Sequence, residues 1–142
     1  MARRKLLVTV PRVLAAGVAL LSWWAPVRAE APSNRYEIND DTVYDTRTEL
    51  TWRRTAIPDV SSATVDQICV NGWRAPTIKE LQSLVDARSG IAFDPIAFPN
   101  SVEGFYLSST PVVGTPNGRW TVYANVGMTI PNDGLGALRC VR

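Results

Sequence analysis

The sequence predicts a small, exported α+β domain held by a disulfide. Three observations carry that expectation. An export-type leader opens the chain, one well-capped amphipathic helix sits near its middle, and short β-prone runs separated by turn residues lie on both sides of that helix. The two cysteines, Cys69 and Cys140, stand far apart in the part of the chain that export would deliver.

The leader has a basic start at Arg3, Arg4 and Lys5, an apolar run from Val13 to Trp24, and then Pro26 and V-R-A. The small residues Val27 and Ala29 occupy the positions that a signal peptidase reads. The apolar run is shorter than the roughly 20 residues of a membrane span. Cleavage after Ala29 is therefore expected, with residues 1–29 as signal peptide and 30–142 as one domain. No cysteine follows the apolar core, which argues against a lipid anchor. Five of the fifteen basic residues leave with the leader and all thirteen acidic ones stay, so the formal charge moves from +2 to −3. A mildly acidic domain with scattered arginines carries no electrostatic footprint for nucleic acid.

Along the domain, Tyr36 and Ile38 alternate with polar neighbours, and Asn39-Asp40-Asp41 marks a turn. Val43-Tyr44 and Leu50-Thr51-Trp52 are β-prone and separated by polar Asp45–Glu49, which suggests a hairpin. Pro58-Asp59 and Ser61-Ser62 offer starts for a short helix running through Val65, Ile68 and Cys69. GWRAPTIKELQSLVD is the best-signalled stretch. Thr77 followed by Glu80 forms a capping box, and Pro76 stands just outside the helix. Ile78, Leu81, Leu84 and Val85 share one face, and Gly90 supplies a stop, which places a helix over 77–88.

Prolines at 95, 99, 111 and 116 then break the chain into a long loop, with Phe93, Ile96 and Phe98 as anchors. Phe105-Tyr106-Leu107 reads as a brief strand. RWTVYANVGMTI alternates, with Trp120, Val122 and Ala124 on one side. PNDG is a turn, and LGALRCVR is a last strand with Leu138 and Cys140 on one face.

In an oxidising compartment two cysteines most simply form one bridge. A loop of that span is worth about 4 kcal/mol in the chain-entropy model. The rival reading, a reactive or metal-binding thiol pair, has no histidine and no other cysteine to help it.

Five blocks, in order, resemble one bacterial family. They are DTVYDTRTELTWRR, a cysteine ahead of GWRAPTIKELQSLVD, FYLSSTP, RWTVYAN and the closing LRCVR. Together they look like the signature of the Lcl C-terminal domain family, once a domain of unknown function and named from a Legionella collagen-like adhesin. That signature runs T-x-L-x-W, W-R-L-P-T-x-x-E-L, Y-W-S-S-T and V-R-C-V-R. The resemblance implies a C-type-lectin-like fold, with a small twisted antiparallel sheet, two helices and a long irregular loop region. It places the Cys69–Cys140 bridge between the first helix and the last strand. It makes Trp52, Trp73, Arg74, Pro76, Thr77 and Glu80 a structural motif in which Trp73 plugs the core and Arg74 reaches a nearby carbonyl or carboxylate. Ala75 and Leu107 depart from the usual leucine and tryptophan, and the short segment from Cys69 to Gly72 implies a clipped first helix. Nothing in the chain resembles a collagen-like stalk, so the adhesin's trimeric arrangement is not carried over.

Catalysis is not expected. The lectin-like formylglycine-generating oxidases share the W-R-x-P-x-x-x-E-L look, but they need reactive cysteines that hold copper, and a bridge leaves none. Without histidine the common general base is missing, and Asp40-Asp41 reads as a turn rather than a hydrolytic pair. Calcium is a candidate cofactor only if Asn132-Asp133 meets Glu103 or Asp94 from the long loop; the plainer alternative makes PNDG a hairpin turn. Tyr106 and Trp120 are candidates to stack on a sugar ring, with Arg119 as a contact for an acidic glycan. The expected function is a secreted or periplasmic recognition module for surface polysaccharide or glycan. The alternative is a module that binds a cell-surface protein or serves envelope structure. The two separate on whether Tyr106, Trp120 and Asn132-Asp133 converge on one exposed patch.

Overall fold

The computed structural model of the chain describes residues 34–86 and 92–142. The leader, its cleavage site after Ala29, and Gly90 as a helix stop lie outside the described residues. The elements run β1 (Tyr36–Ile38), β2 (Thr42–Asp45), β3 (Leu50–Arg53), β4 (Ile57–Ser61), α1 (Val65–Ile68), α2 (Ile78–Ser83), β5 (Phe105–Pro111), β6 (Arg119–Tyr123), β7 (Met128–Asn132) and β8 (Leu135–Leu138). This is an α+β fold with two short helices and one disulfide, Cys69–Cys140.

β1, β2 and β3 form an antiparallel meander. The Asn39 turn closes with its N–H donating to Thr42 O at 2.9 Å, and Val43 lies opposite Trp52 with both side chains fully buried. Asp45 departs from the expected polar connector: it ends β2 fully buried, because Arg35 neutralises it there.

The second sheet has the order β4-β8-β5-β6-β7 and is mixed rather than antiparallel, since β5 and β8 run parallel with Tyr106 opposite Ala137. PNDG is accordingly a turn but not a hairpin turn, because β7 pairs with β6 while β8 enters between β4 and β5. The Ser62 N–H draws the turn toward β4 by donating to Gly134 O at 3.0 Å. The alternating run 119–130 also divides, into the hairpin β6–β7. Gly127 takes φ +72 there, which only glycine adopts without strain, and a Cβ would lie 2.5 Å from Val85 Cγ1.

Alternation along β5 and β8 sorts the core onto two faces. Tyr106, Ala137 and Val141 join Val43, Trp52, Leu81, Leu84, Phe93 and Phe98 on one side. Leu107, Leu138 and Cys140 join Val60, Val65 and Trp73 on the other, so Leu138 and Cys140 share a face as their spacing requires.

α2 begins as its capping box dictates, with Glu80 N–H donating to Thr77 Oγ1 at 3.3 Å and Thr77 N–H to Glu80 Oε2 at 2.8 Å. It ends at Ser83, earlier than Arg88. Arg35 Nη2 takes the Ser83 carbonyl at 2.6 Å and the Asp86 N–H goes to Ala92 O at 3.0 Å, which removes the bonds of a further turn. α1 is clipped to four residues, and the Pro58-Asp59 stretch expected to start it forms β4 instead. In the loop, Phe93 and Phe98 are buried anchors, packed edge-on against Tyr106 and Tyr36. Ile96 is exposed, and Ala97 fills the interior in its place.

Candidate functional site

The bridge forms one wall of an open groove of about 270 Å³ lined by Arg53, Ile57, Ile68, Val70, Asn71 and Trp73, among others. Three distant segments build it. Trp73 N–H donates to Val70 O at 3.2 Å across a turn in which Asn71 and Gly72 both take positive φ. Arg74 and Val141 then exchange backbone bonds at 2.9 Å, and the Arg53 N–H donates to Cys140 O at 2.9 Å. Trp73 is thereby fixed between the end of β3 and the end of the chain.

Its ring is covered by two cations. The Arg53 guanidinium lies 4.3 Å and the Arg142 guanidinium 4.5 Å from the ring centroid. Both side chains are exposed, and neither has an ion-pair or hydrogen-bond partner among the described residues. Ile57, Ile68 and Val70 leave 40%, 36% and 59% of their surface in water, a cluster of apolar exposure on one small surface. The lining contains no carboxylate and no histidine, and both of its cysteines are oxidised. Chemically the groove can bind but has no side chain to move a proton near neutral pH.

Of the residues expected to form a ligand patch, Arg119, Trp120, Asn132 and Asp133 lie together at one end of β6–β7, where Arg119 pairs with Asn132 and Trp120 with Pro131, while Tyr106 does not join them. Tyr106 is fully buried, so it cannot stack on a ring from solvent; its hydroxyl accepts the Val102 N–H at 2.9 Å and its ring packs on Phe93. Arg119 is committed to the frame, donating to Ser62 O at 3.2 Å, Ser109 O at 3.1 Å and Asp66 Oδ2 at 2.8 Å. Trp120 is half-buried on β6, opposite Pro131. Asn132 folds on its own turn, accepting the Gly134 N–H at 2.9 Å and donating to Leu135 O at 3.1 Å. With Asp133, Thr115, Gly118 and Pro131 it borders a separate shallow depression of about 220 Å³.

The calcium ligands do not assemble either. Asp94 Oδ1 caps its own loop by accepting the N–H groups of Ile96 and Ala97 at 2.8 and 2.9 Å, and Glu103 lines another depression beside Asp59. Among the described residues no group of three His, Cys, Asp or Glu side chains is placed to hold a metal ion.

Trp52 is fully buried and Trp73 nearly so. Pro76 O accepts the Ser109 N–H at 2.7 Å, and Arg74 clasps Glu80 with two bonds of 2.8 and 2.6 Å. Those bonds are the main cause, against burial, that holds the Glu80 carboxyl below its ordinary value. The groove itself escaped sequence reading because its residues come from 53–57, 68–73 and Cys140, where no single stretch carries a binding motif. The one available signal was the apolar-and-basic composition of CVNGWR and TWRR, both already assigned to architecture.

Among the described residues no helix is long and apolar enough to cross a membrane. No curated protein and no solved structure matches the chain. The model of the Lcl C-terminal domain matches residues 41–142, a span that takes in both helices, the bridge and every strand but the first: the chain belongs to the Lcl C-terminal domain family.

Proposed function

We propose that the chain is a non-catalytic recognition module, exported to the periplasm or beyond, that binds a protein partner through the groove beside its disulfide. The observation that carries this is the conjunction at that groove of exposed aliphatic walls, a tryptophan and the uncommitted Arg53 guanidinium, with Arg142 stacked on the same indole. Aromatic and arginine side chains at the centre of an apolar surface are the composition of protein-binding hot spots. A bridge is at home outside the cytoplasm, which supports the export reading of the leader. The scaffold is of C-type-lectin-like type: two short helices among the described residues, a long irregular loop, and a bridge from the end of the first helix to Cys140, just past the last strand, support that assignment.

A second reading, glycan binding, rests on the half-buried Trp120 next to the depression formed by Thr115, Asn132 and Asp133, whose hydroxyl, amide and carboxylate suit sugar hydroxyls. The two readings part on a paired screen of the oxidised full chain, against a glycan array with calcium or with chelator and against a displayed peptide library. Enrichment of peptides with a silent glycan array is the expected outcome. Glycan binding that Trp120→Ala abolishes would overturn the protein reading, and chelator sensitivity would bring calcium back with Asn132 and Asp133.

A further inference from the structure

We infer that the partner presented to this groove is a short acidic peptide segment carrying an aliphatic anchor. The inference rests on the protein-binding reading proposed for the same groove and adds the chemistry of the ligand.

The charge distribution points to an acid. Residues 30–142 carry more acidic than basic side chains, yet the groove lining is free of carboxylates. Of the described acids near the lining in sequence, Asp66 is spent on Arg119, Glu80 on Arg74, Asp59 lines a different depression, and Glu49 pairs with neither Arg53 nor Arg142. Arg53 and Arg142 both stack on one indole, and neither has a counter-ion among the described residues. Stacking uses the faces of a guanidinium and leaves its edge N–H donors pointing outward, the geometry in which arginine binds carboxylate oxygens in pairs. A carboxylate entering the groove at Arg53 satisfies those donors.

The walls point to a peptide rather than an acidic polysaccharide. Ile57, Ile68 and Val70 gain by covering with aliphatic carbon, at about 25 cal/mol per Å² removed from water. A sugar chain would bring hydroxyls to those walls and leave them unpaired. The aromatic face that a sugar would stack on is already occupied by the two guanidiniums. A leucine- or isoleucine-sized side chain beside an aspartate or glutamate meets both requirements at once.

The test uses the oxidised full chain and an array of terminally blocked octapeptides in which leucine and aspartate or glutamate positions are permuted, each with a lysine-for-acid counterpart. Acid–aliphatic peptides are expected to bind and their lysine counterparts not. R53E/R142E is expected to lose about tenfold or more in affinity, the sum of two rim contacts, whereas R53K/R142K keeps the preference for acid. Ile68→Asp, on the opposite wall, is expected to lose binding as well and serves should the double reversal lower the melting temperature. D133N, on the separate depression, should bind as the unaltered chain does. Enrichment confined to neutral or basic peptides, or binding by R53E/R142E and by Ile68→Asp equal to that of the unaltered chain, would sink the acidic-peptide assignment while leaving a protein partner standing. Silence on every peptide together with binding to an acidic glycan would sink both.

Discussion

Asp45 lies fully buried at the end of β2, where Arg35 Nε and Nη2 donate to its two oxygens at 3.1 and 2.7 Å and the Arg47 N–H donates at 3.0 Å. Burial alone would raise the carboxyl, but the Arg35 hydrogen bonds, with the Arg47 N–H, outweigh it and hold Asp45 below its ordinary 3.8. A carboxyl depressed in the folded state contributes stability that is whole above its unfolded pKa and is lost as pH falls through the folded one. Unfolding by denaturant should therefore give a midpoint that holds near neutrality and falls once the pH drops below about 4. Asp45→Asn leaves Arg35 buried without its counter-ion and should cost about 3 kcal/mol at pH 7, with the acid-side slope flattened. An unchanged slope in that variant would place the acid sensitivity elsewhere. Nothing in the sequence marks Asp45, because DTRTE has the composition of a solvated turn and its partner Arg35, just ahead of β1, meets it only in the fold.

At the scale of elements, what was legible in the sequence is what local chemistry decides. The α2 start could be read because Thr77 and Glu80 satisfy each other's backbone within one turn, and the first hairpin because Val43 and Trp52 alternate across it. The end of α2 was not legible, since Arg35 and Ala92 decide it from outside. The β6–β7 fold-back was missed because an alternating pattern continues straight through it, and a single glycine sets the turn. Gly127→Ala tests that account: it combines φ +72 with a Cβ 2.5 Å from Val85 Cγ1, on a side chain that packs against the core. The substitution should destabilise by clearly more than the roughly 1 kcal/mol of an ordinary glycine site, read as a lowered denaturation midpoint. A neutral Gly127→Ala would mean that the turn and Val85 both yield at little cost. Tyr106 was misplaced for a related reason: local composition offered it as a surface aromatic, but it lies on a central strand whose two faces are both covered.

Across the whole molecule the bridge joins the end of α1 to the chain's last residues, closing a sequence separation of 71 that encloses α2 and β5 to β8. Those last residues also connect the two sheets, because Val141, just past β8 of the second sheet, bridges Trp52 of β3 in the first, and it bridges Arg74 as well. The disulfide therefore constrains the unfolded chain and, in the folded one, holds together the three segments that make the groove. Reduction should lower stability by about 4 kcal/mol by loop-closure entropy, a large part of the 5–15 kcal/mol typical of a domain this small. Because Arg53, Trp73 and Cys140 are linked through one set of backbone bonds, ligand binding at the groove should fall in step with that loss rather than before it. Guanidinium unfolding of the oxidised and reduced chain, and of C69A/C140A, followed by tryptophan fluorescence and by peptide binding, checks both statements. Coincident midpoints for oxidised and reduced protein would show that packing alone carries the fold. Binding lost while fluorescence still reports a folded chain would show instead that the bridge shapes the groove independently of global stability.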